Sequence, residues 1–497
     1  MDINEKNIVA IDLGSSKIAL TVAKVTGDDV QIIYYRETPS AGIKYSSVYN
    51  VTHVAEPVTK AIRQAEEDLG IKITQAIVGM PKFPVYQESS NATISDRGID
   101  TDITAEDVAK LKSLALSIYP LQDESKEAIF GAVAQSFSDG ENFQIIENEI
   151  IGMTSDVLEG NFKVFIGRKN DLRKIDSVMA KSDIVAMRKY FTAESTAKAV
   201  LTDAEMENGV ALIDFGGGST SVSIYHGRVM RYYASIPFGG RNITEDIKSE
   251  SQISERLAEN IKLAFGACMP EKLQSMSEKI IHIRSNSAEP DMKLPVKYLS
   301  EIITARVEEI LMAIFYEIEQ SGFADSLRSG IVVTGGVAQT ANLGNLIYDL
   351  SGYRARTGYP QTNFSHLGFE GICETTSATS IGLMLAAKDE MGNCAHDEEG
   401  FGSGVTVENS DNPFDFYTET APAVETHTAN EAVEETEEPD EEPVQTTIFK
   451  DDEIEKVEVV KNKKERKNPW KVTWTKFIEK ADDLYKSLNE DIDNENV

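Results

Sequence analysis

The sequence predicts an α/β protein that builds one structural unit twice. Residues 8–17 read Ile-Val-Ala-Ile followed by Asp-Leu-Gly-Ser-Ser-Lys, and residues 210–220 read Val-Ala-Leu-Ile followed by Asp-Phe-Gly-Gly-Gly-Ser-Thr. Another strand-like run follows each of them, at 18–25 and 221–225. Each unit therefore reads as a buried strand, a tight turn and a returning strand. One such unit is typical of an ordinary hairpin, but its repetition favours a shared function.

The two turns predict a site for phosphate groups. Glycine lets the backbone approach a phosphate closely and direct its N–H groups at the oxygens. Asp12 and Asp214 end the two strands, where a carboxylate can hold Mg²⁺ through water. Two such turns facing each other would clamp one nucleotide from both sides, together with Mg²⁺. The candidate phosphate-binding residues are Gly14, Ser15, Ser16, Lys17, Gly216, Gly217, Gly218 and Ser219.

A third element follows further along the chain. Residues 330–338 read Gly-Ile-Val-Val-Thr-Gly-Gly-Val-Ala, which is again a buried strand that opens on paired glycines. At Gly335 and Gly336 a base or ribose could lie against bare backbone. Three such elements in this order are difficult to obtain by chance.

This order resembles the actin/Hsp70/sugar-kinase superfamily, which has two phosphate motifs followed by an adenosine motif. Residues 191–199 fall where the superfamily has its first connecting helix, whose acidic or amide residue orients the attacking water. The resemblance implies that Glu194 has this role and that Asp12 and Asp214 complete the catalytic set. Glu259 and Lys262 resemble the Glu-x-x-Lys pair that contacts the nucleoside. An ordinary i, i+3 pair on a helix surface is the alternative.

Within the superfamily the chain resembles the FtsA family of bacterial cell-division proteins. Three local features carry this resemblance, at 199–209, 236–247 and 335–339, and a C-terminal amphipathic segment is the fourth. The resemblance runs from residue 7 to about 390 and resumes at the extreme C-terminus.

The resemblance implies an actin-like two-domain ATPase fold with an FtsA-type inserted subdomain, an acidic disordered linker and a C-terminal amphipathic helix. A generic insertion is the alternative for the inserted part. The expected boundaries are domain I at 1–82 and 165–205, the inserted subdomain at 83–164, domain II at 206–394 with a helical partner-binding part at about 247–322, the linker at 395–460 and the C-terminal segment at 461–497.

Hydrophobic periodicity predicts the local elements within these parts. In domain I we expect strands at about 7–14, 18–26, 29–37 and 75–79 and a helix at 51–69. In the inserted subdomain we expect a turn at 97–100, a capped helix at 104–118 and strands throughout 127–151. In domain II we expect strands to about Ser235 and helices from there to Gln320.

Composition excludes several classes of protein. The chain has 497 residues, 41% of them apolar, which is ordinary for a soluble protein with two or three domains. The polar N-terminus leads straight into a strand, so no signal peptide is expected. Three isolated cysteines, Cys268, Cys373 and Cys394, give neither a disulfide framework nor a metal site. A net charge of −33 gives no reason to expect a nucleic-acid partner.

Much of this negative charge lies in one stretch. Residues 395–460 contain 21 Asp and Glu against two Lys and Arg, a net charge of −19. Because this stretch is poor in large apolar residues, it cannot bury enough surface to fold. It is predicted to be a flexible linker, with an r.m.s. span of roughly 45 Å that self-repulsion extends.

The sign of the charge reverses after the linker, because residues 461–480 contain eight basic and two acidic residues. Apolar side chains recur there at helical spacing over 468–489, and both tryptophans of the protein lie on this stripe. An amphipathic helix in the interface of an anionic membrane is predicted, and docking on a protein groove or on the protein's own core is the alternative. The candidate membrane residues are Trp470, Trp474, Phe477, Ile478, Leu484, Lys467 and Lys471.

The resemblance to FtsA implies an actin-like ATP-binding protein that polymerises at the cytoplasmic face of the cell membrane and anchors the division ring there. The implied partners are the C-terminal peptide of FtsZ, further copies of this chain in filaments, other division proteins and the anionic membrane surface. Hydrolysis is expected to be weak or absent, since Ser221 stands where superfamily members commonly place an aspartate.

Three other classes share the phosphate turns. A sugar-type kinase needs a catalytic base for its substrate hydroxyl and has no use for a tethered anchor. An Hsp70-type chaperone needs a β-rich substrate domain, for which the acidic linker leaves no room. A pilus-assembly actin homologue is nearer but usually lacks this tether and anchor.

Overall fold

The computed structural model describes residues 5–95, 98, 101–143, 146–283, 292–361, 363–388 and 392–397. Most of the predicted linker and the whole C-terminal segment with its candidate membrane residues lie outside this part. So does most of the predicted turn at 97–100.

The strands of the described part are, in chain order, β1 (Lys6–Leu13), β2 (Lys17–Thr26), β3 (Asp29–Pro39), β4 (Ile43–Lys44), β5 (Ser47–Val48), β6 (Ile71–Ile73), β7 (Gln75–Met80), β8 (Tyr86–Ile94), β9 (Glu127–Ser138), β10 (Leu158–Arg168), β11 (Val185–Phe191), β12 (Val210–Phe215), β13 (Thr220–His226), β14 (Val229–Ile236), β15 (Ile280–Ile283), β16 (Met292–Pro295), β17 (Ile331–Thr334), β18 (Ala355–Thr357), β19 (Ser365–His366) and β20 (Ala395–Asp397).

The α-helices of the same part are α1 (Val51–Leu69), α2 (Ala105–Ile118), α3 (Glu147–Ile150), α4 (Lys169–Lys181), α5 (Thr192–Val200), α6 (Asp203–Asn208), α7 (Gly240–Ser251), α8 (Glu255–Phe265), α9 (Val296–Gln320), α10 (Leu343–Ser351) and α11 (Ala378–Ala387). Short 3-10 turns lie at Pro270–Lys272, Gln274–Glu278, Ala324–Ser326, Gly336–Gln339 and Thr375–Ser377.

The predicted duplication is present in the two large sheets. The first sheet has the order β11-β7-β1-β2-β3-β19, and the second has the order β14-β13-β12-β17-β18. In both, the strand before the glycine turn pairs antiparallel with the strand after it and parallel with a later strand, β7 or β17. The glycine turns therefore lie at equivalent edges of two similar sheets.

Local sequence accounts for the helix that crosses behind the first sheet. The Asn50 side chain accepts a hydrogen bond from His53 N at 3.1 Å and caps α1 at its start. Gly70, with φ +65°, ends the helix in the left-handed conformation that glycine adopts most readily. The buried residues Val54, Val58, Ile62 and Ala65 recur on one face, as the predicted periodicity requires.

The inserted part forms a separate three-stranded sheet of order β8-β10-β9, covered by α2. Thr104 and Asp107 form a reciprocal capping box at the start of α2, so the predicted capped helix is confirmed. The expectation of strands throughout 127–151 is wrong at its end, because Glu147–Ile150 is a helical turn. Two glutamates in that first turn favour a helix N-terminus.

The end of the described chain returns to the first sheet. β19 pairs with β3, and β20 pairs with β6. Four apolar residues of α11 (Ile381, Leu383, Met384 and Ala387) lie in the core of the first sheet. Domain II, predicted as 206–394, therefore contains a segment that packs in domain I. Because residues 395–397 form a strand, the predicted start of the linker at 395 is too early.

Candidate functional site

One cavity of about 770 Å³ lies between the turn edges of the two sheets. It is lined by residues from both domains and from α7, α8 and the 3-10 turn after β17. The predicted site residues that line it are Asp12, Gly14, Ser15, Ser16, Lys17, Asp214, Gly216, Gly217, Gly218, Ser219, Glu259, Lys262, Gly335 and Gly336. The fold thus brings together residues that the sequence separates by more than 300 positions.

The first turn joins β1 to β2 and carries Asp12 at its entrance. Burial raises the pKa of Asp12 to about 6, and the nearby ammonium groups of Lys17 and Lys82 oppose that rise. The negative charge of Asp214 adds to the rise in the pKa of Asp12. Lys17 forms an ion pair with Glu37 on β3.

The second turn is held by the start of α7. The backbone N–H groups of Gly240 and Arg241 donate to Gly216 O at 2.9 Å and to Gly217 O at 2.7 Å. A Cβ at Gly239 would lie 2.5 Å from Gly216 O, so this approach needs bare backbone. With its carbonyl groups bonded to α7, the turn leaves its other face to the cavity.

The two glycine turns touch each other directly. A Cβ built on Gly217 would lie 1.8 Å from Ser16 Oγ, and one on Gly218 would lie 2.7 Å from Ser15 Cβ. Real Cβ atoms do not come so close to their neighbours, so only glycine permits this contact. Gly217 and Gly218 are therefore explained by the approach of the first turn, whereas a Cβ at Gly216 would lie 2.8 Å from Lys82 Nζ.

Glu259 and Lys262 lie on α8 and are joined to α7. Lys262 Nζ lies 2.8 Å from Glu259 Oε2 and donates to Thr244 Oγ1 at 2.8 Å and to Gly240 O at 3.0 Å. The Lys262 side chain is only 16% exposed. The pair therefore is not a free surface pair but part of the cavity wall.

The third element also reaches the cavity through bare backbone. Gly335 has φ +86°, and a Cβ there would lie 2.5 Å from Phe215 O and 2.8 Å from Asp214 Oδ1. Gly335 N donates to Thr375 O at 3.2 Å, and Thr375 Oγ1 donates to Gly335 O at 2.8 Å. These bonds fix the turn after β17 against the 3-10 turn at Thr375–Ser377.

Glu194 is not among the residues that line the cavity. It lies half-buried in the first turn of α5, close enough to Tyr225 to raise the pKa of that phenol, which burial raises most. Thr192, at the start of the same helix, does line the cavity, and its hydroxyl donates to Met80 O at 2.9 Å. Ser221 is buried opposite Asp214 in the β12–β13 pair.

Sequence reasoning missed Lys82, whose Nζ lies 2.7 Å from Asp214 Oδ1 and donates to Asp214 O at 3.2 Å. The order of the predicted strands could have indicated Lys82. β7 runs parallel to β1 with Gly79 opposite Asp12, so a polar residue soon after β7 lies at the same sheet edge. Ser46 and Arg241 also line the cavity; Arg241 lies in the stretch 236–247 that carries the resemblance to FtsA, whereas no local pattern marks Ser46.

The residues present fit a magnesium ion bound together with phosphate. Mg²⁺ in such sites commonly uses one or two carboxylates, with water and phosphate oxygens as its other ligands. Asp12 and Asp214 supply two carboxylates to the cavity, each at the start of a glycine turn. Within the described ranges, no cluster of three or more His, Cys, Asp or Glu side chains forms a metal site of its own.

The chain is similar to known cell division proteins along most of its length. The family model described as Cell division protein FtsA matches residues 211–382. The cell division protein FtsA of Neisseria meningitidis serogroup B is 27% identical over 404 residues, covering 80% of this chain and 94% of that protein. The FtsA of Borreliella burgdorferi is 29% identical over 386 residues, covering 77% of this chain and 91% of that protein. The resemblance predicted from the sequence is confirmed.

The fold is shared with a solved structure of the PilM-PilN type IV pilus biogenesis complex. The TM-score is 0.51 at 13% sequence identity, covering 77% of this chain and 98% of that chain. This likeness confirms the predicted actin-like α/β fold and shows nothing beyond the fold. The FtsA relatives support an actin-like cell-division function over pilus assembly or sugar phosphorylation.

Proposed function

We propose that this chain, as a relative of the FtsA cell division proteins, is an actin-like ATP-binding protein that anchors the FtsZ ring to the cytoplasmic face of the cell membrane. One observation carries the nucleotide part of this proposal. The two glycine turns, with Asp12 and Asp214 at their entrances, face the same cavity and touch each other.

In this proposal the turns hold the phosphate groups of ATP. Backbone N–H groups of Gly14, Gly217 and Gly218 donate to phosphate oxygens, whereas Gly216 N donates to Ser219 O at 3.1 Å and holds the second turn. Asp12 and Asp214 hold Mg²⁺, which offsets the charge of the phosphates when it is bound. The nucleoside binds at the other side of the cavity, against Glu259, Lys262, Gly335 and Gly336.

Turnover is proposed to be slow. Glu194 would orient the attacking water, but it does not line the cavity as the domains now lie, so catalysis would require the domains to move. Ser221 cannot supply the negative charge that an aspartate would give at that position. ATP would then act mainly as a structural ligand that ties domain I to domain II.

The same proposal assigns the partners. The FtsZ C-terminal peptide would bind the helical part of domain II at about 247–322, and further copies of the chain would join in filaments at the division site. None of the helices in the part of the chain that the structure describes is long and apolar enough to cross a membrane. Attachment is proposed through 468–489, and a filament strengthens it because each further anchor binds at high effective concentration.

The proposal is tested by the position of the protein in dividing cells. A fluorescent fusion of the full chain should gather at the division site, and a fusion without residues 466–497 should spread through the cytoplasm. As a matched control, a fusion that lacks an equally long stretch of the linker, residues 405–436, should still reach the division site. Gathering without 466–497 would overturn the anchor, and an even distribution of the full chain would overturn the division role.

A further inference from the structure

A hairpin of domain I enters the junction between the two glycine turns. It consists of β4 (Ile43–Lys44) and β5 (Ser47–Val48), and its tip carries Ser46. Ser46 N donates to Ser15 Oγ at 3.1 Å, and Ser46 Oγ lies 2.5 Å from Ser219 Oγ. A single residue therefore bonds to both turns, and all three of these serines are buried.

The base of this hairpin belongs firmly to domain I. Ile43 and Val48 are 2% and 1% exposed and lie in the core of the first sheet. A Cβ at Gly42, with φ +79°, would lie 2.6 Å from Asn50 O, so the hairpin lies directly against the start of α1. Movement of domain II relative to domain I would therefore move Ser219 away from the tip rather than carry the tip along.

The tip has a costly backbone conformation. Tyr45 and Ser46 have φ angles of +47° and +62°, in the left-handed region. Two-residue hairpin turns of this kind favour Asn-Gly, because side chains make both positions unfavourable. Such a conformation persists where surrounding contacts hold it, and here the contacts of Ser46 with the two turns do so.

The hairpin lies at the end of the second turn that is remote from the nucleoside residues. At one end, Gly216 O accepts from Gly240 N, whose own carbonyl oxygen accepts from Lys262 Nζ. At the other end, a Cβ on Gly218 would lie 3.5 Å from Tyr45 N. A nucleotide with its nucleoside beside Lys262 would therefore place its last phosphate at the hairpin tip.

We infer that Ser46 determines specificity at this site and makes it prefer a nucleoside triphosphate to a diphosphate. This inference rests on the proposed binding of ATP. The hydroxyl groups of Ser15, Ser46 and Ser219, which now bond within this group, would donate to oxygens of the last phosphate. Hydrogen bonds to an ionised acceptor are stronger than those between neutral groups. A nucleoside diphosphate lacks the phosphate group that accepts these hydrogen bonds, so Ser46 adds affinity only for the triphosphate.

The test compares ATP and ADP on the full chain by calorimetry with Mg²⁺. Ser46→Ala removes the hydroxyl and should weaken ATP binding about tenfold, the effect of one hydrogen bond to a charged group. Affinity for ADP should stay within about twofold of the original protein. Ser46→Gly also removes the hydroxyl but eases the left-handed backbone, and it should show the same selective loss. If Ser46→Ala folds poorly, the ATP and ADP affinities of Ser46→Gly test the inference instead.

Ser47→Ala is the matched control, because the Ser47 hydroxyl bonds to Arg168 Nη2 at 3.3 Å, away from the turns. Both nucleotides should bind this variant as they bind the original protein. An equal loss for ATP and ADP in both Ser46 variants, or no loss, would overturn the role of Ser46. Failure of the original protein to bind either nucleotide would overturn the proposed ATP binding itself.

Discussion

Lys82 Nζ lies 2.7 Å from the carboxylate of Asp214 and joins domain I to domain II across the cavity. The two side chains are 16% and 12% exposed, so solvent screens this pair weakly. The Lys82 ammonium also opposes the rise in the pKa of Asp12. One lysine thus balances both carboxylates of the proposed magnesium site.

Lys82→Ala should therefore weaken binding of ATP with Mg²⁺ by about tenfold or more, because it removes a cation beside the phosphates. It should also lower the free energy of unfolding by about 1–3 kcal/mol, since Asp214 loses its partner in a poorly hydrated place. Calorimetry and denaturant unfolding measure the two effects. In the control Lys189→Ala, the lost partner is Asp176, which is 52% exposed, and both changes should be small. Equal effects of the two substitutions would contradict a special role for Lys82.

Binding of Mg²⁺ with ATP should weaken as the pH falls through about 6. Burial raises the pKa of Asp12 to about 6, and a protonated carboxyl cannot hold the cation. An ordinary aspartate would stay ionised over this range. The effect on stability has the opposite sign, because a raised pKa means that folding favours the protonated form, so this group stabilises the fold more at pH 5 than at pH 7.

Titration of affinity between pH 5 and 8 checks this prediction. Asp12→Asn should bind weakly and show a flat profile across that range. If the profile of the original protein is also flat, the pKa of Asp12 is not the controlling quantity.

Gly217→Val should abolish measurable ATP binding, because a Cβ at this position would lie 1.8 Å from Ser16 Oγ and force the turns apart. Gly217→Ala should already weaken binding at least tenfold. Gly344→Ala is the control, since a Cβ at Gly344 in α10 would meet only Ala355 O on β18 at 3.7 Å, which is an ordinary contact. That substitution should leave affinity unchanged. Equal ATP affinities in all three variants and the original protein would rule out the clamp.

Hydrolysis of ATP should be slower than about 1 s⁻¹, the low end of typical enzyme turnover. Ser221 supplies no negative charge at the second turn, and Glu194 lies outside the cavity wall. Release of inorganic phosphate at saturating ATP measures the rate, with Asp214→Asn as the inactive reference. A faster rate would show that the remaining carboxylates suffice for catalysis.

Trp474→Glu should abolish binding to anionic vesicles, because it places a charge in the middle of the predicted apolar stripe. Thr475→Glu adds the same charge beside the stripe and should reduce binding only slightly. Co-sedimentation with anionic and neutral vesicles distinguishes these outcomes, and neutral vesicles should bind the original protein less well. If Trp474→Glu still sediments with vesicles while monomeric, the segment docks on protein instead.

The elements that determine the nucleotide site could be predicted from local sequence. β1, β2 and α1 lie within a residue or so of the expected ranges, and the repeated turn pattern indicated two equivalent sheets. These features depend on side-chain periods of two and 3.6 residues and on glycine at tight turns, which a single stretch of sequence contains. The turn positions followed from them.

Only the tertiary structure decided which other side chains reach the site. The contacts of Ser46 with Ser219 and of Lys82 with Asp214 span 173 and 132 residues, so the hydrophobic periodicity of a single stretch cannot indicate them. Local sequence likewise does not show that α11 packs in the core of the first sheet, or that Glu194 lies outside the cavity wall. Backbone pattern sets each strand and turn, whereas the relative position of two sheets depends on packing between distant parts of the chain.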